Sequence, residues 1–212
     1  MNRNSRWADC AQLELDQLHE CKTFTDKGKD DPSPPGYKKI GAHFVYDVKH
    51  DGRHKARYVA DGHKTDIPLK SVYSGVVTLR GLRMVVFLAE LNGLDLWATD
   101  IGNAYLEAET KEKVYIIAGK EFGDLEGHIL VIHKALYGLR SSGLRWHEIL
   151  ADCLRDMGFF PCKVEPDIWM REKDSLYEYI YISVYVDDLA ILARKPEEIT
   201  NTLMKRHDFK LK

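Results

Sequence analysis

Two adjacent carboxylates, Asp187 and Asp188, interrupt the most apolar stretch of the chain, residues 177–193. β-branched and aromatic residues dominate this stretch, and that enrichment favours strands over helices. Two apolar strands that meet at a two-residue Asp-Asp break predict a tight β-hairpin. Strands this apolar are expected to be buried on both faces, so the two repelling charges would sit against a protein core. A hard divalent cation held by oxygen ligands is their natural partner, although a solvated acidic turn would carry the same two residues.

A third carboxylate, Asp100, ends another predicted strand, residues 94–100. In an antiparallel sheet the end of that strand can lie beside the tip of the hairpin. Three carboxylates at one sheet edge would form a site for two Mg²⁺ ions, which stabilise the attacking and leaving oxygens of an in-line phosphoryl displacement. Such a site works by positioning and by neutralising charge rather than by covalent chemistry of the protein.

A basic segment, residues 38–64, alternates charged with apolar residues around Asp51-Gly52, a pair typical of hairpin turns. Its basic members are Lys38, Lys39, Lys49, Arg53, Lys55, Arg57 and Lys64. The segment therefore predicts a basic β-hairpin. Two interpretations remain open: a flap that contacts the phosphates of a nucleotide or nucleic acid, or a solvated charged edge.

The remaining elements would position these residues. Helices are predicted over residues 7–21, from Thr78 to Asn92-Gly93, from Ser142 to Met157 and from Pro196 onward. The helix after Thr78 is expected to pack through Leu82, Val85, Val86 and Ala89. Strands are predicted over 114–118, 128–133 and 167–171, and a loop over 26–36. Helices packed on one face of a mainly antiparallel sheet predict an α+β domain.

Composition narrows the class of protein. The 212 residues are 44% hydrophobic and 30% charged, which suits a globular chain with a real core. A net charge of −2 means that any nucleic-acid contact must come from a local basic patch.

The sequence also lacks several motifs that would indicate other classes of protein: a CxxC pair, a Gly-rich phosphate loop, a signal peptide and an apolar run long enough to span a membrane. We therefore expect an intracellular protein with no membrane contact. His147, Cys153 and Cys162 lack the spacing of zinc ligands, and we interpret them as a helix-surface histidine and two core cysteines.

Several segments occur in the order found in one family. They are Asp100 to Leu106 (DIGNAYL), Lys134 to Arg140 (KALYGLR), Trp146, Glu165-Pro166-Asp167, and Tyr185-Val186-Asp187-Asp188. Together they resemble the reverse transcriptase of copia-type LTR retrotransposons, and Lys55 to Gly62 looks like that family's "KARLVAKG" segment. The resemblance implies a right-hand polymerase with fingers and palm, truncated before the thumb. It divides the chain into a lead-in helix and loop (1–37), a fingers-like basic hairpin and helix (38–93) and a palm (94–212), with fingers and palm interleaved.

The resemblance also implies roles for individual residues. Asp100, Asp187 and Asp188 would be the catalytic metal ligands, with Asp188 the least direct, and the backbone carbonyl of Ile101 would add a ligand. Two Mg²⁺ ions, replaceable by Mn²⁺, would be the cofactors. The nucleotide-binding residues would be Lys55, Arg57, Tyr105, Leu139, Arg140 and Ser141. Among them Tyr105 would be a steric gate against a 2′-hydroxyl, with core packing as the alternative. Tyr185 and Val186 would support the hairpin.

The implied function is RNA-directed DNA synthesis on a primer, with dNTPs as substrates. The implied partners are an RNA or DNA template with its primer and the RNase H and integrase domains of a polyprotein, in cytoplasmic virus-like particles. Two departures from the family pattern concern the nucleotide side: Ser141 replaces the usual Gln and Gly143 the usual Pro. The competing hypothesis is a catalytically silent retroelement remnant that only binds nucleic acid or proteins.

Overall fold

A computed structural model of the chain describes residues 3–29, 33–65, 71–173 and 178–212. Residues 30–32 of the predicted loop, and Tyr177 at the start of the predicted hairpin, lie outside the described residues. Backbone contacts divide the chain into two compact units. Unit 1 comprises Met1–Tyr73 and Tyr105–Trp146, and unit 2 comprises Ser74–Ala104 and His147–Lys212.

Five α-helices and eleven strands make up the described residues. The helices are α1 (Arg3–Glu20), α2 (Leu79–Asn92), α3 (Ala104–Glu107), α4 (Ser142–Asp156) and α5 (Pro196–His207). The strands are β1 (Phe24–Asp26), β2 (Lys38–Lys39), β3 (Ala42–Val48), β4 (His54–Ala60), β5 (Asp95–Asp100), β6 (Val114–Ile117), β7 (Ile129–Ile132), β8 (Phe160–Pro161), β9 (Ile168–Lys173), β10 (Glu178–Tyr185) and β11 (Asp188–Ala193). The α+β class is therefore confirmed, and every predicted helix and strand is present with its ends moved by a few residues at most.

Unit 1 holds the basic hairpin and a four-stranded sheet. β3 and β4 pair antiparallel, and the sheet has the order β1-β7-β6-β2. Its core joins Leu18 of α1, Tyr58 of β4, Ile116 of β6 and Leu130 of β7, all at most 2% exposed. Because alternate residues of β4 enter this core, Lys55, Arg57 and Val59 lie on the strand's other, half-buried face.

Unit 2 is built on an antiparallel sheet of order β5-β11-β10-β9-β8. One of its faces packs through Tyr181 and Leu192 against Val85 and Ala89 of α2. Ile182 and Ile191, which alternate with them on the opposite face, are fully buried as well. The sheet is thus buried on both faces. That burial agrees with the expectation drawn from the unbroken apolar runs.

The ends of α2 follow the predicted signals. Thr78 is the N-cap, its hydroxyl accepts a hydrogen bond from the Gly81 N–H, and Gly93 ends the helix in the left-handed conformation. The prediction was wrong for Val86, which is 39% exposed. Successive helical residues are rotated by about 100°, so the side chain of Val86 points away from the direction shared by Val85 and Ala89.

Among the described residues, none of the helices has the length and apolar character needed to span a membrane.

Candidate active site

The acidic hairpin has its turn one residue earlier than predicted. Tyr185 pairs with Asp188 in the β10–β11 ladder, so the two-residue turn is Val186-Asp187 and Asp188 begins the second strand. The predicted Asp187-Asp188 break was therefore displaced by one position. Val186 adopts a φ of 59°, which β-branched residues rarely take. The two flanking strands force this conformation, because their register admits only two residues in the turn.

Asp100 lies beside this hairpin, as expected from the antiparallel sheet. β5 pairs with β11 in a register that sets Asp100 opposite Asp188. The N–H of Ile101 donates to the carbonyl oxygen of Asp187 at 2.9 Å, which ties the end of β5 to the turn itself. On its other edge, Asp100 exchanges two backbone hydrogen bonds with Lys212. The backbone carrying Asp100 is consequently held from both sides.

The electrostatics of the three carboxylates are unfavourable without a counter-charge. Burial, and then the charges of Asp187 and Asp100, raise the pKa of Asp188 above its ordinary value. Mutual repulsion of this kind is relieved when a cation binds between the groups. The donor set is also suitable, because carboxylate oxygens are ligands that Mg²⁺ prefers.

The three carboxylates alone do not complete the coordination of a metal ion. In the described parts of the chain, no three His, Cys, Asp or Glu side chains converge closely enough to hold an ion by themselves. Ile101, whose carbonyl was predicted as a ligand, is fully buried. The carboxylates fit a divalent cation by type, register and charge, and the remaining ligands would come from backbone, water or substrate, as is common for Mg²⁺.

A cavity of about 380 Å³ opens in unit 2 next to the carboxylates. Asp100, Asp188 and Tyr185 line one part of it, and Leu82 and Leu189 contribute apolar wall. Tyr185 is 54% exposed, and the side chain of Val186 is half-buried at the turn. The hairpin-support residues thus flank the tip and do not belong to the core of the sheet.

Unit 1 carries the predicted nucleotide-binding residues, and three of its side chains form a cluster. The guanidinium carbon of Arg57 lies 5.8 Å from the ring centroid of Tyr137, within cation–π range. The Tyr137 ring in turn lies 4.8 Å from that of Tyr105. We call these three residues the Arg57–Tyr137–Tyr105 cluster. Sequence reasoning gave no role to Tyr137, although it lies within the KALYGLR segment that carried part of the resemblance.

The backbone next to Tyr137 is fixed by close contact with β4. The Ala60 N–H donates to the carbonyl oxygen of Tyr137 at 2.8 Å. Gly138 has a φ of 89°, and a Cβ there would fall 2.1 Å from the carbonyl oxygen of Ala60. Only glycine allows this approach. The orientation of Tyr137 therefore depends on a neighbour that cannot carry a side chain.

The three residues after Gly138 face their own partners. Leu139 is 5% exposed in the unit 1 core, and Arg140 donates from Nη2 to the carbonyl oxygen of His63 at 2.9 Å. Ser141 donates from both its N–H and its hydroxyl to Oε1 of Glu112, at 3.0 and 2.7 Å. A nucleotide contact by the Ser141 hydroxyl would have to compete with this bond, whereas a Gln could reach further.

His147 is less exposed than the sequence analysis predicts. His147 was interpreted as a helix-surface histidine, but it is half-buried and its Nε2 lies 2.8 Å from Oδ1 of the buried Asp167. No spacing signal marks this pair, because its members are twenty residues apart on different elements. Cys153 and Cys162 are free thiols that are only partly buried, and burial raises the pKa of Cys153 to about 11.

The chain is similar to known proteins along its whole length. The family model described as "Reverse transcriptase (RNA-dependent DNA polymerase)" matches residues 31–212. The Gag-Pol polyprotein of transposon Ty1-NL2 from Saccharomyces cerevisiae is 29% identical over an alignment of 222 positions, which covers 100% of this chain and 12% of the relative. That of transposon Ty1-LR2 from the same yeast is 28% identical with the same coverage. The chain thus spans about an eighth of the length of these curated relatives. It belongs to the reverse transcriptase (RNA-dependent DNA polymerase) family, on the copia-type retrotransposon branch that its motifs resemble.

Proposed function

We propose that the chain is the part of a retrotransposon polyprotein that performs RNA-directed DNA synthesis, adding dNTPs to the 3′-hydroxyl of a primer. One observation carries the proposal: Asp100 lies opposite Asp188 across β5 and β11, with Asp187 in the adjoining turn. Residues 94–212 would then be the palm, and the basic hairpin and helix of residues 38–93 would belong to the fingers. Reverse transcriptases in general use divalent metal ions and nucleic-acid templates.

In this proposal Asp100, Asp187 and, less directly, Asp188 hold two divalent ions, with the Ile101 carbonyl as a further ligand. When bound, such ions stabilise the attacking and leaving oxygens of the transferred phosphoryl group. The work of the chain itself is to hold the three carboxylates in register at the end of the sheet. Tyr185 and Val186 keep the turn at its position, because misplacement by about 1 Å can cost on the order of a hundredfold in rate.

The residues of unit 1 would bind the incoming nucleotide. Lys55 and Arg57 would contact the triphosphate, and their common position on the half-buried face of β4 supports this role. Tyr105 would exclude a 2′-hydroxyl, and Leu139, Arg140 and Ser141 would lie under the template and the base. The Arg57–Tyr137–Tyr105 cluster supports this assignment, because it joins a predicted phosphate contact to the predicted sugar gate through one ring.

The deciding experiment is insertion of a single dNTP into a labelled RNA–DNA template–primer, with enzyme in excess and with Mg²⁺ or Mn²⁺. Insertion by the wild-type chain that is lost in Asp187→Asn supports the proposal. Asp95→Asn, on the same strand as Asp100 but at its far end, is the matched control and should retain activity. Tight binding of template–primer without insertion under any metal would instead favour the silent remnant.

A further inference from the structure

A tight turn in unit 2, Glu165-Pro166-Asp167-Ile168, joins β8 to β9. The N–H of Ile168 donates to the carbonyl oxygen of Glu165 at 2.9 Å, and Pro166 occupies the second position, which its fixed φ suits. The turn carries two carboxylates that the proposed chemistry does not use. Each of them bonds to a residue of a different helical segment.

The Glu165 carboxylate is bound to the start of α2. Its Oε2 accepts a hydrogen bond from the Thr78 hydroxyl at 2.6 Å, while the same hydroxyl accepts from the Gly81 N–H at 3.0 Å. A Cβ at Gly81 would lie only 3.0 Å from Cγ and Oε2 of Glu165. The N-cap of α2 and the turn are thus one hydrogen-bonded assembly.

The Asp167 carboxylate is buried and bound to α4. The residue is 5% exposed, and its Oδ1 lies 2.8 Å from Nε2 of His147. When the Asp167 carboxylate is ionised it can only accept, and Nε2 is then the donor of this bond. A Cβ at Gly75 would fall 2.2 Å from Oδ2, so the chain approaches the carboxylate from that side as well. Burying a charged carboxylate costs free energy of desolvation, which an apolar side chain at this position would not incur.

Backbone hydrogen bonds connect the same turn to β10, near the tip of the β10–β11 hairpin. The Val184 N–H donates to the carbonyl oxygen of Asp167 at 2.9 Å, and the Val184 carbonyl accepts from the Val77 N–H at 2.8 Å. On its other edge Val184 pairs with Leu189 of β11. Val184 precedes Asp187 by only three residues, so a short, hydrogen-bonded backbone path joins Asp167 to the tip of the hairpin.

We propose that Asp167 and His147 are positioning residues, which fix the tip of the β10–β11 hairpin through the backbone of Val184 and thereby set the affinity for the divalent cation at Asp187. The inference rests on the proposed function, because it takes the tip to be a cation site. Neither residue touches the cation. The Glu165–Thr78 bond holds the other end of the same turn.

The test is a Mn²⁺ titration followed by electron paramagnetic resonance, in which bound Mn²⁺ loses the signal of the free ion, together with thermal unfolding of every variant. His147→Leu removes the donor and should weaken Mn²⁺ binding about three- to tenfold. That is less than the loss expected for a direct partner of a ligand, since the effect passes through the backbone. His147→Gln places an amide N–H near the position of Nε2 and should remain within about twofold of wild type.

A second pair of variants covers the case in which His147→Leu does not fold. Asp167→Asn preserves the shape of the side chain but not its charge, and should weaken Mn²⁺ binding in the same direction. Asp152→Asn makes the same chemical change on the exposed side of α4, where Asp152 pairs with Arg155, and should have no effect.

The outcomes separate the two proposals. Loss of Mn²⁺ binding in Asp187→Asn, with weakened binding in His147→Leu and recovery in His147→Gln, supports the inference. If Asp187→Asn loses binding but His147→Leu and Asp167→Asn bind as wild type does, even with lowered melting temperatures, the pair is structural only and the inference is overturned. If Asp187→Asn binds Mn²⁺ as tightly as wild type, the tip is no cation site, and the proposed function fails together with the inference.

Discussion

The β3–β4 and β10–β11 hairpins reach their turns by opposite means. The β3–β4 hairpin closes over residues 49–53, with Gly52 at a φ of 80° and Asp51 accepting hydrogen bonds from Arg53. The β10–β11 hairpin closes over only two residues, with Val186 at a φ of 59°. In the first the turn residues favour the turn by themselves, and in the second the buried strands impose it.

The difference follows from burial. β3 is exposed over most of its length, so this strand adds little burial to its hairpin, and local turn chemistry contributes more to closing the turn. β10 and β11 are buried between neighbouring strands, and their hydrogen-bond register outweighs roughly 1–2 kcal/mol of left-handed strain. Strain maintained by a surrounding sheet is typical of functional sites, which agrees with the carboxylates found at this tip.

The largest expected effect concerns the acidic hairpin. Asp187→Asn or Asp100→Asn should lower the rate of single-nucleotide insertion by about a thousandfold or more, because several kcal/mol of charge stabilisation disappear with the metal. The melting temperature should stay the same or rise, since each change removes a charge that repels Asp188. Rate and melting curve are measured on the same preparations, beside Asp95→Asn. Full activity in Asp187→Asn would show that the carboxylates are not the metal site.

The second-largest effect is expected at Tyr105, the proposed steric gate against a 2′-hydroxyl. Tyr105→Ala should reduce the ratio of kcat/KM for deoxy over ribonucleotides by about a hundredfold, because a steric clash with a 2′-hydroxyl is removed. Tyr105→Phe keeps the ring and should keep the ratio. If the ratio is unchanged in the alanine variant while the protein loses stability, Tyr105 is a packing residue of unit 1.

The basic hairpin should show a smaller effect that depends on salt. Lys55→Gln with Arg57→Gln should weaken binding of template–primer or dNTP about tenfold at low salt. The slope of log affinity against log salt should fall by roughly one for each phosphate that the protein no longer neutralises. Lys195→Gln with Lys205→Gln removes two exposed charges from unit 2 and serves as the control. Equal affinities and slopes for both double variants would mean that β4 presents a solvated charged face.

The smallest effect tests the two turns against each other. Gly52→Ala should lower the free energy of unfolding by about 1 kcal/mol, since alanine is strained at a positive φ. Val186→Asn should raise it by up to about 1 kcal/mol, because asparagine tolerates the left-handed region better than valine does. Chemical denaturation measures both. A destabilised Val186→Asn would indicate that packing of the valine side chain outweighs its backbone strain.

Local sequence signals predicted much of the fold. Thr78 and Gly93 mark the ends of α2, Pro196 begins α5, and Asp51-Gly52 lies in the turn of the basic hairpin, because each of these residues acts on the backbone next to it. The turn at Val186-Asp187 was misplaced by one residue, because strand register and not turn propensity decides it. Burial of both faces of the unit 2 sheet was expected from the unbroken apolar runs, but such runs do not show which elements lie on each side.

The sequence alone supplied the three candidate carboxylates, Asp100, Asp187 and Asp188, and the motifs around them supplied the resemblance that implies a metal-binding role. Tertiary structure decided which side chains meet within each unit. The contact of His147 with Asp167 and the stacking of Arg57 on Tyr137 join residues that are 20 and 80 positions apart, and no spacing rule connects them. Side-chain hydrogen bonds and ring contacts depend on distances of a few ångströms, and only the packing of helices and strands against one another sets those distances.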